Sequence, residues 1–240
     1  MGKLDDQVAL VTGGGTGIGQ GIALALAREG AQVVICGRRL GPLQNTVAQI
    51  ESEGGQALAI QATVADEMDV ERLIEETTEA FGPVDILVNN AGIGGGGAIH
   101  KHSIQDWDQI MGINLRGPFL MARAVLPSMR ERRRGHIINI SSESGLEYYP
   151  GSGAYGVSKH ALNALSEYIQ RENQDLNIHV HVICPGMVIS EMSEDAVGLN
   201  KNKCLLPEDI ADLVLWLVTR RDNVKIGRPV LIQTMENPWE

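Results

Sequence analysis

The chain of 240 residues is poor in several of the features that mark specialised protein classes. It has three cysteines, an odd number, at positions 36, 184 and 204. Their spacing matches neither a disulfide framework nor a zinc motif, so a reduced, intracellular protein is expected. Cys36 and Cys184 sit inside apolar runs and read as small core residues. Aromatics make up only 4%. No run approaches the roughly 18 apolar residues of a membrane span. The start, Met1-Gly2-Lys3-Leu4-Asp5-Asp6, has no apolar signal region, and a cytoplasmic protein is the expectation. Positive charge is in deficit: 20 Lys and Arg against 30 Asp and Glu give −10. That balance argues against nucleic-acid and anionic membrane partners. Six scattered histidines form no metal-ligating cluster, and no metal is expected.

Short Val- and Ile-rich runs alternate with helical patterns from end to end. The runs are Val8–Val11, Gln32–Cys36, Ala57–Ala62, Val84–Val88, His136–Ile140, Ile178–Cys184 and Pro229–Ile232. They lack polar alternation, as strands buried on both faces do. Helices are expected over Gly19–Glu29, Glu67–Phe81 and Ala154–Arg171, and along Trp107–Met129. Gly30 and Gly82 stand where C-caps belong, and Pro207-Glu208-Asp209 reads as a helix start. Such alternation predicts an α/β, Rossmann-type doubly wound parallel sheet, with residues 1–240 as a single domain.

Three patterns carry chemistry. Tyr155 and Lys159 are four apart on an expected helix, hence on one face. A nearby ammonium is expected to lower the phenol pKa and make the tyrosine a general acid or base. The first strand runs into Thr12-Gly13-Gly14-Gly15-Thr16-Gly17-Ile18-Gly19, and a helix follows. A glycine-rich turn between first strand and first helix is where a dinucleotide pyrophosphate meets a helix N-terminus. The second strand ends in Cys36-Gly37-Arg38-Arg39, with no acid between Gly30 and Glu51. Arginine there suits the 2′-phosphate of NADP and an acid would suit the ribose of NAD, so NADP(H) is favoured over NAD(H). Arg38 is the first choice for the phosphate contact, with Arg39 beside it.

Taken together, T-G-x-x-x-G-x-G at 12–19, Asn89-Asn90-Ala91-Gly92, Ser142 thirteen residues before Tyr155, and Y-x-x-x-K at 155–159 resemble the short-chain dehydrogenase/reductase family. The resemblance covers nearly the whole chain. It implies catalytic roles for Asn114, Ser142, Tyr155 and Lys159: a proton relay, a hold on the substrate oxygen, an acid/base, and a lysine that also grips the nicotinamide ribose. Ser141 and Ser144 are rivals to Ser142 by proximity, and the family spacing selects Ser142. It implies cofactor contacts from Gly13, Gly15, Thr16, Gly17, Ile18 and Gly19 at the phosphates, and from Thr63, Val64, Asn90, Ala91 and Gly92 at the adenosine side. Pro185, Gly186, Val188 and Ser190 would serve the nicotinamide end, together with Tyr155 and Lys159.

The chain departs from the family pattern in places. Thr63 replaces an Asp, and Gly227-Arg228-Pro229-Val230-Leu231-Ile232 lacks the usual D-G-G tail. The segment Ser190–Leu206, the expected lid, is short and polar, without an apolar wall for a large hydrophobic substrate. Arg130 to Arg134, followed by Gly135, reads as a helix C-terminus capped by that glycine. Trp107 and Trp216 read as packing residues. Tyr148 and Tyr149 border the expected site, as pocket walls or as packing. The expected activity is hydride transfer between NADP(H) and a small carbonyl or alcohol substrate. The alternatives are an NAD(H)-dependent alcohol or polyol dehydrogenase of the same family and a non-catalytic nucleotide-sensing protein. A homo-oligomer is expected, tetramer first and dimer next.

Overall fold

The computed structural model describes residues 2–194, 196–221, 224, 226–227 and 229–240. Seven parallel strands form one sheet in the order β3-β2-β1-β4-β5-β6-β7. They are β1 Val8–Thr12, β2 Gln32–Gly37, β3 Gln56–Gln61, β4 Ile86–Asn89, β5 Gly135–Ile140, β6 Ile178–Pro185 and β7 Val230–Ile232. The order reverses between β1 and β4, and a crevice opens at the carboxyl ends of the strands there. This is a Rossmann-type doubly wound sheet.

Each face of the sheet is covered by helices. On one side, α1 (Gly17–Arg28), α2 (Leu40–Ser52) and α7 (Pro207–Val218) bury Ile22, Leu26, Leu43, Ile50, Ile210 and Val214 against Val11, Ile35 and Ile183. On the other, α3 (Glu67–Phe81), α5 (Gly117–Arg132) and α6 (Gly153–Asn173) bury Leu73, Met121, Val125 and Ile169 against Leu10, Val34 and Leu87. The alternation of strand residues between these two cores explains why the strands lack polar positions. A polar ladder crosses this interior. Asn89 Nδ2 donates to Asn139 Oδ1 at 2.8 Å, and Asn139 Nδ2 donates to Ser166 Oγ at 2.7 Å. Buried amides are stable there because each has a partner.

Several expectations change. The long helix expected over 107–129 is three pieces: α4 (Ile104–Met111), a π turn at Gly112–Arg116, and α5. Pro118 in the first turn of α5 and Asn114 in the π turn mark the interruption. Helix α2 lacked a sequence signal: Gly41 and Pro42 open it and no side chain caps it. Gly135 is no cap. The left-handed residue that ends α5 is Arg133, at φ 53°, while Gly135 opens β5. The arginines there are held internally: Arg132 and Arg134 pair with buried Asp85, Arg130 with Asn173, and Arg133 with the Asp175 carbonyl. Cys36, Cys184 and Cys204 are buried thiols. Trp216 is half exposed beneath the Arg220 guanidinium, 5.1 Å from its ring centre. Arg228, in the atypical C-terminal stretch, lies outside the described residues. Among the described residues no helix is long and apolar enough to cross a membrane, and no group of three His, Cys, Asp or Glu side chains is placed to hold a metal.

Candidate active site

A cleft of about 490 Å³ runs along the carboxyl ends of β1, β2, β4 and β5. One end is walled by Arg38, Arg39, Thr63 and Val64, the other by Tyr155, Lys159 and Ser190, with Gly13, Gly15, Thr16, Gly17 and Ile18 between. Asn90, Ala91 and Gly92 line it as well. The phosphate turn is shaped by close contacts. Gly17 adopts φ 53°, and a side chain there would press on Ser190. Gly19 is off the cleft. A Cβ on it would fall 2.3 Å from the Gly13 carbonyl oxygen, so it lets α1 pack against the turn. Asn90 also braces the turn from below. Its Nδ2 donates to the carbonyls of Thr12 and Gly13 at 2.9 and 3.2 Å, which ties the end of β4 to the phosphate turn.

Pro185, Gly186 and Val188 are likewise off the cleft wall. Gly186 donates its N–H to the Ile232 carbonyl at 2.8 Å, and Val188 is core. Residues without a sequence signal take their place. Pro42 and Leu43 come from the unforeseen α2, and Glu191 and Met192 come from the lid. Met192 gives that polar lid one apolar side chain over the cleft. Arg39 faces across the cleft: its Nη2 meets Glu191 Oε2 at 2.5 Å. Among the described residues the Arg38 side chain has no ion-pair partner within the chain, which leaves it the free cation at this end.

The other end is built on α6 and the π turn. Lys159 is 4% exposed, and its Nζ donates to the Ile140 carbonyl at 2.9 Å. That Nζ lies 5.6 Å from the centre of the Tyr155 ring. Ser142 stands close enough to the Tyr155 hydroxyl to act on its pKa. Ser141 lines the cleft with its hydroxyl donating to the Lys159 carbonyl at 3.3 Å, whereas Ser142 is not in the lining. Asn114 lies behind the cleft, 1% exposed and fixed at both ends of its amide. It accepts from the Ile93 N–H at 2.9 Å and donates to the Ile93 carbonyl at 2.9 Å and to Ser158 Oγ at 3.1 Å. A π turn at this point places an asparagine where a regular helix would continue its ladder.

Electrostatics differ from the expectation of a lowered tyrosine pKa. Burial, the largest influence, pushes the Tyr155 phenol up from its ordinary value, and neighbouring Ser142 pulls the other way. Burial also pushes the Lys159 ammonium down, to about 8. Desolvation dominates for both groups, and each is moved toward its neutral form. A neutral phenol is a proton donor.

Tyr148 and Tyr149 do not line the cleft. Tyr148 stacks on His160 with ring centres 4.8 Å apart, and burial, with the charges of Glu143 and Glu147, pushes the Tyr149 phenol up.

The model of the short-chain dehydrogenase family matches residues 7–198. The chain belongs to that family. It is an oxidoreductase that works between alcohol and carbonyl groups with NAD or NADP. An uncharacterised oxidoreductase of Staphylococcus aureus, strain USA300, is 36% identical over 234 residues, covering 96% of this chain and 100% of the relative. Another, from Staphylococcus saprophyticus, is 35% identical over 237 residues, with the same coverage. Among solved structures, a metagenomic short-chain oxidoreductase in complex with NADP is 33% identical with a TM-score of 0.86, covering 98% of this chain and 100% of the other. Levodione reductase is 29% identical with a TM-score of 0.89, covering 96% and 97%. An alcohol dehydrogenase of Thermococcus sibiricus complexed with 5-hydroxy-NADP is 27% identical with a TM-score of 0.88, covering 98% and 97%.

Proposed function

We propose that the chain is an NADP(H)-dependent carbonyl reductase in which Tyr155 is the general acid in reduction and the general base in oxidation. The observation that carries this reading is a cleft with Tyr155 and Lys159 at one end, Ser142 next to Tyr155 but off the lining, and Arg38 at the other end. The residues present fit a dinucleotide. The turn at Gly17 leaves backbone open where phosphates approach, and the Arg39–Glu191 link across the cleft is an exposed ion pair that a ligand can displace. Arg38 would hold the 2′-phosphate, and Lys159 would reach the nicotinamide ribose. When bound, the nicotinamide supplies the carbon that gives or takes hydride.

The chain's own groups handle the oxygen. Ser142 holds the substrate oxygen beside the Tyr155 hydroxyl, and Tyr155 donates its proton as the carbonyl becomes an alcohol. Burial keeps the phenol protonated until that moment. Lys159 stands near enough to favour the phenolate once it forms, and Asn114 fixes the backbone beside it. In this reading residues 1–240 work as one unit in the cytoplasm, as subunits of a homo-oligomer. Half-exposed Phe119 and Val157 and the more exposed Tyr168, on α5 and α6, supply an apolar face for the partner. The test is a panel of carbonyl compounds assayed with NADPH and with NADH. A higher kcat/KM with NADPH supports the reading, and a preference for NADH contradicts it.

A further inference from the structure

The turn that begins at Ser142 is anchored from two sides. It is a single 3-10 turn, Glu143–Gly145, and Ser142 Oγ accepts from the Ser144 N–H at 3.1 Å. One anchor comes from α6, the helix that carries Tyr155 and Lys159. Asn163 Nδ2 donates to the Gly145 carbonyl at 2.8 Å. The other comes from the C-terminal stretch just past β7, where Gln233 Nε2 donates to Glu143 Oε2 at 2.6 Å. The two side chains meet over Gly186. A Cβ there would lie 3.1 Å from Gln233 Cγ and 3.4 Å from Glu143 Oε2, so the bare backbone leaves them room.

Gln233 is itself placed by its chain neighbours. Before it, Ile232 pairs with Pro185 and accepts from the Gly186 N–H at 2.8 Å. After it, Thr234 Oγ1 donates to the Lys203 carbonyl at 2.8 Å, and Lys203 Nζ meets Glu236 Oε2 at 3.2 Å. The Asn200 N–H donates to the Pro238 carbonyl at 2.8 Å. Residues 233–240 thus lie as a strap along the lid, and the Gln233 side chain reaches from it to the Ser142 turn. A short 3-10 turn has poor hydrogen-bond geometry of its own and depends on such ties. Gln233 is exposed, so its bond adds little to global stability. Rate is more sensitive, since a displacement of about 1 Å at a reacting group can cost about a hundredfold.

We infer that Gln233 is a positioning residue: through Glu143 it holds the turn so that the Ser142 hydroxyl stays beside Tyr155. This rests on the carbonyl-reductase reading above, in which Ser142 holds the substrate oxygen.

The test exchanges the two partners, with turnover measured on the best carbonyl substrate and NADPH. Gln233→Leu removes the bond and lowers kcat by about threefold to tenfold, with a smaller change in KM. Gln233→Glu sets two carboxylates against each other, and its kcat falls by about tenfold or more. Glu143→Gln combined with Gln233→Glu restores an amide facing a carboxylate, with donor and acceptor reversed, and kcat returns to within about twofold of wild type. The NADPH dissociation constant, read by fluorescence titration, and the urea midpoint stay close to wild type throughout. A double variant no faster than Gln233→Glu overturns the inference, and so does wild-type kcat in both single variants. A loss of turnover matched by an equal loss of NADPH affinity overturns it as well. If Gln233→Leu fails to fold, Gln233→Glu against the double variant decides alone. Ser142→Ala assayed beside them separates the two readings. If it keeps wild-type turnover, the reading of Ser142 is at fault and this inference falls with it. If it is inactive while the Gln233 variants match wild type, only the role of Gln233 falls.

Discussion

Replacing Lys159 with methionine should make the cofactor-free protein more stable at neutral pH while removing its activity. The side chain is 4% exposed, and burial lowers its pKa from 10.5 to about 8. Holding an ammonium there costs about 3 kcal/mol at pH 7, at about 1.4 kcal/mol per pKa unit. Against this stands one hydrogen bond, from Nζ to the Ile140 carbonyl, worth about 1–1.5 kcal/mol. Methionine fills a similar volume without charge, so Lys159→Met should gain about 1–2 kcal/mol, or roughly 3–6 °C in Tm for a chain of this size. The sign of the pH dependence follows from the lowered pKa. Between about pH 8 and 10.5 the unfolded chain holds the proton that the folded chain has released, so the wild-type penalty fades as pH rises through that window. From pH 7 to pH 10 the advantage of the variant should shrink by about 2 kcal/mol. Urea denaturation of both proteins at the two pH values, at one protein concentration, measures this. Subtracting one protein from the other cancels the common titration of Cys36 and Cys204, neither of which Lys159 influences. A variant less stable than wild type at pH 7, by the same margin at pH 10, refutes the burial argument.

Other expectations follow from the opposite end of the cleft. Arg38→Asp should weaken NADPH binding by about tenfold to a hundredfold and favour NADH relatively, since it removes a charge-assisted contact and adds a repelling charge. Equal losses for both cofactors in titration would take Arg38 out of 2′-phosphate recognition. Glu191→Gln frees Arg39, whose guanidinium now spans the cleft at 2.5 Å. The pair is exposed and worth at most about 1 kcal/mol, so NADPH should tighten about twofold to fivefold, an effect that fades in high salt. An unchanged dissociation constant would show that Arg39 has no dealings with the cofactor. Light scattering after size exclusion should give a multiple of 25.9 kDa; a monomer would leave the apolar face of α5 and α6 without a partner.

The sheet was legible because buried parallel strands leave unbroken Val- and Ile-rich runs, and α3 was legible to the residue because Asp66 caps it and Gly82 ends it. What escaped detection depended on contacts distant in sequence. Helix α2 has neither a capping side chain nor an acidic first turn, and it is fixed by packing Leu43 and Ile50 under the sheet. The π turn at Asn114 depends on an amide clamp to Ile93, 21 residues away. Two of the glycines expected at the cofactor also have structural roles, packing at Gly19 and strand pairing at Gly186. Gly135 could not cap α5, because Met129 fills the space beside it and the turn had closed at Arg133. The proximity of Tyr155 and Lys159 was visible as a spacing, but the direction of the Tyr155 pKa was not, since burial is a property of the fold. Glu191 and Glu143 carry no motif. Their partners Arg39 and Gln233 lie 152 and 90 residues away.

The central claim is that Tyr155 moves the proton while other groups hold the cofactor. It is tested most directly by Tyr155→Phe, with turnover on the best carbonyl substrate and NADPH affinity measured on the same preparation. The account predicts that turnover falls by at least about a hundredfold, the usual scale for a general acid, while the dissociation constant for NADPH changes less than about threefold. Turnover within a few fold of wild type would contradict it.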